Sequence, residues 1–303
     1  MKHLYIIGNG FDLHHNMITD YRDFRDWLAD NDSSVLCTID EIFGYCDSTW
    51  WQHFEANMAT AITSEIVKEE VSENYPNFAS DDFRDSDWSD AEYAVQNRLE
   101  DAYNDIRQAF HEWINQLKGG DSARKIKLHT TEAFFVTFNY SHTLEDLYGI
   151  PQEQILYIHG RACTKDKLVL GHGVDKDTIS QYLNDEWTED EEGDYVIQLA
   201  KDAAVRGVYA QRKPVEDVIA KHGDFFKSLA DVEYLHFYGH SLGEVDRKYF
   251  SEILKVVDRE AVEIEFNDYK GENKSTIDAF MKSEGFKPND YSIISLDDLL
   301  EIK

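Results

Sequence analysis

Short runs of strand-forming residues recur along this chain with helical patterns between them, and no other feature restricts the fold as much. The runs fall at residues 4–7, 133–138, 154–158, 168–170, 233–238, 262–266 and 291–294. Helical periodicity marks 141–148, 214–229, 247–257 and 274–283. A strand, a helix and a second strand of one sheet join by a right-handed crossover, so the two strands run parallel. The expected class is α/β, a Rossmann-like, mostly parallel, doubly wound sheet, within a single domain of residues 1–303.

Two stretches interrupt the alternation. From 19 to 118 the pattern is helical: Tyr21, Phe24, Trp27 and Leu28 share one face, and apolar stripes run from Trp50 to Val67 and from Val95 to Leu117. A polar, acidic loop at 74–89 separates the two stripes. From 176 to 230 the chain begins acid-rich, at 176–193, and continues into a helical pattern at 195–209. Both are read as helical insertions, and within them Trp50–Leu117 and Lys176–Tyr209 are candidates for a lid or an oligomer surface.

Composition narrows the partners. There are 60 acidic and 30 basic residues, a net charge of −30. Such a chain is repelled by polyphosphate backbones, and it has no run of lysines or arginines, so nucleic acid is not an expected partner. Cys37, Cys46 and Cys163 are scattered, with no Cys-x-x-Cys pair, which argues against a zinc ribbon or a disulfide framework. No window approaches a membrane span, and the amino terminus enters a strand without a signal pattern. A reduced, cytoplasmic protein with no membrane partner is the expectation.

Four strand ends carry polar turns: Gly8-Asn9-Gly10-Phe11-Asp12, Thr137-Phe138-Asn139-Tyr140-Ser141, Ile158-His159-Gly160 and Gly239-His240-Ser241-Leu242. In a parallel sheet these lie on one edge, where open α/β sheets bind ligands. Taken singly, each also reads as a turn former or a helix cap. Gly239 to Gly243 fits the Gly-x-Ser-x-Gly nucleophile elbow, but no histidine follows Ser241 to complete a triad in the required order. The other reading of Ser241 is a cap on the next helix. His159, His172 and His240 fit no ligand spacing, and no metal is expected. His14 and His15 line the first turn or face solvent.

These blocks resemble the bacterial abortive-infection AbiH family. The resemblance rests on the opening Leu-Tyr-Ile-Ile-Gly-Asn-Gly-Phe-Asp, on 19–24 and 137–145, on the His-Gly pairs at 159 and 172, and on 238–246. They also look like a divergent form of the sirtuin-like NAD-binding fold of bacterial defence proteins. That likeness implies NAD, as substrate or ligand, in the sheet-edge cleft. It implies Asn139 orienting ribose or water, and His159 as base. Gly8, Asn9, Gly10 and Phe11 would lie by the phosphates, and Gly239, His240 and Ser241 beside the adenine-side ribose or phosphate. Two departures stand out: Ser141 replaces the aspartate expected after Asn139-Tyr140, and Asp12 is new.

The expected reaction is hydrolysis of the nicotinamide–ribose bond through an oxocarbenium-like transition state. In it Asp12 would stabilise the cation or fix His159; alternatively Asp12 caps the following helix. Two rival readings stay open. One is a non-catalytic nucleotide or ADP-ribose sensor whose insertions contact a partner, such as a second copy or a phage-derived trigger. The other is a metal-dependent nuclease, which needs a carboxylate cluster.

Overall fold

The structure, a computed structural model, describes residues 1–184, 193–268, 271 and 273–301. Residues 185–192 of the acid-rich stretch thus lie outside the described residues. The chain opens with β1 (His3–Ile7) and α1 (Asn9–His14). There follow α2 (Tyr21–Asn31), α3 (Ser33–Phe43), α4 (Ser48–Gln52), α5 (Phe54–Asn57), α6 (Thr63–Asn74) and α7 (Asp90–Ile114). Next come β2 (Ala133–Thr137), α8 (Thr143–Tyr148), β3 (Ile155–Tyr157), α9 (Lys176–Asn184), α10 (Tyr195–Tyr209), α11 (Val215–Lys221) and α12 (Gly223–Lys227). The chain closes through β4 (Tyr234–Tyr238), α13 (Arg247–Val256), β5 (Glu263–Asn267), α14 (Lys274–Ser283) and β6 (Tyr291–Ile294).

Two units emerge. The first comprises Met1–Asp20, Trp113–Val169 and Pro214–Lys303, and the second Tyr21–Glu112 and Leu170–Lys213. The first unit holds one six-stranded sheet in the order β3-β2-β1-β4-β5-β6. Every pairing is parallel, and β1 sits centrally, with Ile7 opposite Thr137 on one side and Tyr238 on the other. The expected α/β doubly wound sheet is therefore present, and it is wholly parallel.

Strand alternation sends Leu4, Ile6, Val136, Leu235, Phe237, Ile264 and Phe266 to one face. There they meet Tyr249, Phe250, Ile253 and Leu254 of α13 and Ile277, Phe280 and Met281 of α14. Val215, Phe226 and Leu229, from the 176–230 stretch, pack in this same core. The opposite face carries Tyr5, Ile7, Phe135 and Tyr238 under Phe11, Leu144, Ile150 and Leu296. A strand buried on both faces needs a continuous apolar run, which is why residues 4–7 lack a polar alternation.

The run at 168–170 does not join the sheet. Gly160, at φ +85°, turns the chain so that a Cβ there would stand 2.8 Å from Lys167 O. Val169 N–H then donates to His159 O at 2.8 Å, which lays this short run along the loop after β3. Three apolar residues suit that contact as well as they suit a strand.

The second unit is helical in its described residues. Trp51 and Phe54 stack at 5.3 Å, and Phe24 meets Trp51, Phe54 and Phe110 edge-on. The buried Tyr103 hydroxyl donates to Met58 O at 2.8 Å. Helix α3 falls within the stretch read as helical, but its own stripe does not stand out in the sequence. The Asp32 carboxylate accepts from Val35 N–H at its start, and it buries Val35, Ile39, Ile42 and Phe43. Serines, a cysteine and a threonine on its other face dilute the apolar signal. Among the described residues no helix is long and apolar enough to cross a membrane, and all three cysteines are free.

The stacking of Phe237 on Phe266, with centroids 4.5 Å apart, sits at the centre of the sheet core. Phe237→Ala should cost about 3–5 kcal/mol. Urea unfolding would register this as a lower midpoint at unchanged slope. An unchanged midpoint would show that this face is not the stabilising core.

Candidate functional site at the carboxyl edge of the sheet

The turns after β1 and β4 meet backbone to backbone. Gly10 N–H donates to Gly239 O at 2.7 Å, Gly8 N–H to Tyr238 O at 3.0 Å, and Phe11 N–H to Gly8 O at 2.9 Å. A Cβ on Gly239 would stand 2.0 Å from Phe11 N, and one on Gly8 would stand 2.7 Å from Gly239 O. Gly239 also holds φ +72°, a left-handed value that favours glycine. These glycines are needed for the close approach of two strand ends. Three amides of the opening turn are engaged there. Phe11 is fully buried in the sheet core, and the exposed Asn9 donates its side-chain amide to Thr19 O at 2.8 Å.

Asp12 lies inside α1 and is almost completely buried. Its helix is capped by Gly8 without a side-chain bond, so Asp12 does not serve as the cap. One carboxylate oxygen accepts from Ser141 Oγ at 2.5 Å and the other from Thr143 Oγ1 at 2.6 Å. Burial raises its pKa to about 6, against the opposing hydrogen bonds of Ser141, Thr143 and Asn139. From α1, Asp12 thus places a buried carboxylate against the hydroxyls that follow β2.

Asn139 follows β2. It donates its amide to Gly8 O at 3.0 Å, while its own N–H donates to Thr137 Oγ1 at 3.1 Å. Its Oδ1 is buried and has no hydrogen-bond partner.

His159 follows β3. Its Nε2 lies 3.3 Å from Asp246 Oδ1, within ion-pair distance, yet it is not aligned for a hydrogen bond. The second oxygen of Asp246 is 3.8 Å from His240 Nε2. His240 Nδ1 accepts from Leu242 N–H at 3.0 Å, so the neutral ring carries its proton on Nε2, toward Asp246. Phe138 packs edge-on against both imidazoles, at 5.2 Å and 4.7 Å. The Tyr249 ring lies 6.2 Å from that of His159, and its hydroxyl is buried without a partner. Burial and the Asp246 charge push that phenol up, which keeps it a donor.

The sheet edge therefore brings Asp12 to Ser141 and Asn139 to Gly8, and sets His159 and His240 about one carboxylate. Asp246 and Tyr249 were missed as site residues. Asp246 stands six positions after His240 in the same block, but only a turn folding back can face it toward two histidines. Ser241 is exposed and caps nothing: the N-cap of the next helical turn is Gly243 and that of α13 is Asp246, neither with a side-chain bond. The strain of that turn sits on Leu242, at φ 56°, and not on the serine, as a nucleophile elbow would require.

His172, His15 and His14 are engaged in hydrogen bonds away from the His159 and His240 pair. His172 belongs to the second unit, where Nε2 bonds Val208 O at 2.9 Å and Nδ1 accepts from Val174 N–H at 3.1 Å. His15 bonds Phe11 O and Tyr148 Oη, each at 2.7 Å, and burial lowers its pKa to about 4. His14 bonds Arg124 O at 3.0 Å. Among the described residues no group of three or more His, Cys, Asp or Glu side chains is arranged to hold a metal ion.

Sheet order and edge residues together define a doubly wound α/β protein with a buried histidine–carboxylate site. The chain matches the profile of the bacteriophage abortive infection AbiH family over residues 4–268 and belongs to that family. No curated protein matches it. Phage abortive infection is accordingly the setting that the family implies.

The raised pKa of Asp12 has a consequence for stability. Between the ordinary carboxyl value and about 6 the folded state binds a proton that the unfolded chain has lost. Stability contributed by this group therefore falls as pH rises through that window, by roughly 3 kcal/mol at most. Asp12→Asn should flatten the difference in unfolding free energy between pH 4 and pH 6 relative to wild type. Parallel pH curves for the two proteins would contradict the assignment.

Proposed function

We propose that the carboxyl edge of the sheet binds NAD or a related nucleotide and hydrolyses the nicotinamide–ribose bond. The observation that carries this reading is a set of buried polar atoms without hydrogen-bond partners. Asn139 Oδ1, His159 Nε2 and Tyr249 Oη come from residues at or just beyond one sheet edge. A buried polar atom left unpaired costs about 1–3 kcal/mol, so such atoms mark a place for a polar ligand or water. The sheet order adds support, because β1 and β4 flank the point where strand order reverses.

Each residue then has a role its chemistry allows. Asn139 Oδ1 accepts from a ribose hydroxyl, while its amide group stays tied to Gly8. Water attacks C1′ as the glycosidic bond breaks, nicotinamide leaves, and the water proton passes to His159. Asp246, beside His159, stabilises the imidazolium that forms and orients the ring. Tyr249 donates to the water or a hydroxyl. Asp12 acts at one remove, since it holds Ser141 and Thr143 beside Asn139. The opening glycines contribute the strand-end contact, and the proposal assigns their amides no phosphate.

Incubation of the purified protein with NAD, followed by chromatography, tests the reaction. Wild type should release nicotinamide and ADP-ribose, and Asn139→Ala and His159→Ala should slow release by about 100-fold or more. Asp246→Asn should alter the pH–rate profile while leaving NAD binding in place. Tight NAD binding without release would make the protein a sensor. Neither binding nor release would sink the reading.

A further inference from the structure

The acidic stretch 74–89 is not a plain solvated loop. Within the second unit it places Tyr75, Phe78, Phe83 and Trp88 in ring contact. Tyr75 lies 6.0 Å from Phe78, and Phe78 lies 5.3 Å from Phe83 and 4.7 Å from Trp88. Tyr195 at the start of α10 completes the chain of rings, 5.7 Å from Trp88. These are surface residues: Tyr75 is 44%, Phe78 47% and Tyr195 61% exposed. Isolated exposed aromatics need no explanation, but three exposed rings linked through the half-buried Phe83 and Trp88 form a patch of the kind that marks an interaction site.

The patch is held in place. Tyr75 Oη donates to Asp194 at 2.5 Å and so ties the loop to the start of α10. Asn77 Oδ1 accepts from Ala79 N–H at 3.2 Å, Ser80 Oγ from Asp82 N–H at 3.2 Å, and Asp87 from Arg84 N–H at 3.0 Å. Rings fixed beforehand lose little freedom on binding.

Charge selects the occupant. The segment that carries the rings also carries exposed Asp81, Asp82, Asp85 and Asp90, with Arg84 as its single base. Aromatic faces and carboxylates both attract cations, and the whole chain, at −30, steers them inward. A second copy of this chain, a nucleic acid and an anionic membrane all bring the wrong sign. We infer that this aromatic–acidic patch docks a protein segment rich in arginine or lysine with apolar residues between them. In a family of abortive infection proteins, such a segment is the form a trigger or partner would take at this surface.

The full chain tests this by fluorescence anisotropy with a labelled peptide of alternating arginine and leucine. A peptide of alternating glutamate and leucine is the control. Wild type should bind the basic peptide saturably and the control not at all. Phe78→Ser and Tyr195→Ser, both at exposed positions, should each weaken binding about tenfold. Unchanged circular dichroism and melting would show that both variants still fold. Combined Asp81→Asn, Asp82→Asn and Asp85→Asn should weaken binding and flatten its salt dependence. Equal affinity for wild type and both ring variants would overturn the proposal, because the peptide would then sense net charge alone. Sedimentation showing a wild-type dimer that Phe78→Ser dissociates would also overturn it, in favour of self-association.

Discussion

The organisation of the candidate site depends on one contact, the backbone approach of Gly8 and Gly10 to Gly239. With Gly10 N–H on Gly239 O at 2.7 Å and no Cβ on either side, β1 and β4 can end at the same level. That contact sets where α1 begins, and so carries Asp12 under the turn after β2. It also sets where the chain leaves β4, and so brings His240 and Asp246 back over Phe138 toward His159. A methyl group at Gly239 would displace both turns together.

Buried charge is arranged differently at the two ends of this edge. Asp12 is surrounded by neutral donors, two hydroxyls and an amide, which soften but do not cancel the cost of burial, and its pKa stays high. Asp246 instead faces two imidazoles, at 3.3 and 3.8 Å. A carboxylate next to histidine can trade charge with it as protons move, which neutral donors cannot do. The Asp12 cluster is therefore suited to holding a loop still, and the Asp246 cluster is where the proposed proton transfer is assigned. In a chain with twice as many acids as bases, both carboxylates are withdrawn from the solvated acidic surface.

The fold was largely legible because its determinants are local. Strands buried on both faces demand apolar runs, which 4–7 and 133–138 supply. The run at 262–266 alternates apolar residues with Glu263 and Glu265, and 233–238 and 291–294 mix in single polar residues; all are short strand-like signals. One strand reading failed where the same local signal serves two ends, and one helix went without a boundary of its own. Residues 168–170 have strand character but are spent on the loop after β3. Helix α3 has a cap and four buried residues, yet small polar side chains mask its period. The histidines show the same limit. Nothing in sequence distinguished His172, with both ring nitrogens bonded to backbone, from His159, which faces Asp246.

The sequence alone determined the parallel α/β class, the four polar turns at strand ends, and the family to which they correspond. Each is written in periodicity, in glycine placement and in contiguous motifs, which act over a few residues. Only the tertiary structure decided what those turns do with their groups. It engaged the opening amides in a strand-end contact, buried Asp12 against Ser141 and Thr143, and set Asp246 between two histidines. It also gathered five aromatic rings on the acidic loop. These outcomes depend on which distant segments meet, and no spacing along the chain encodes that meeting.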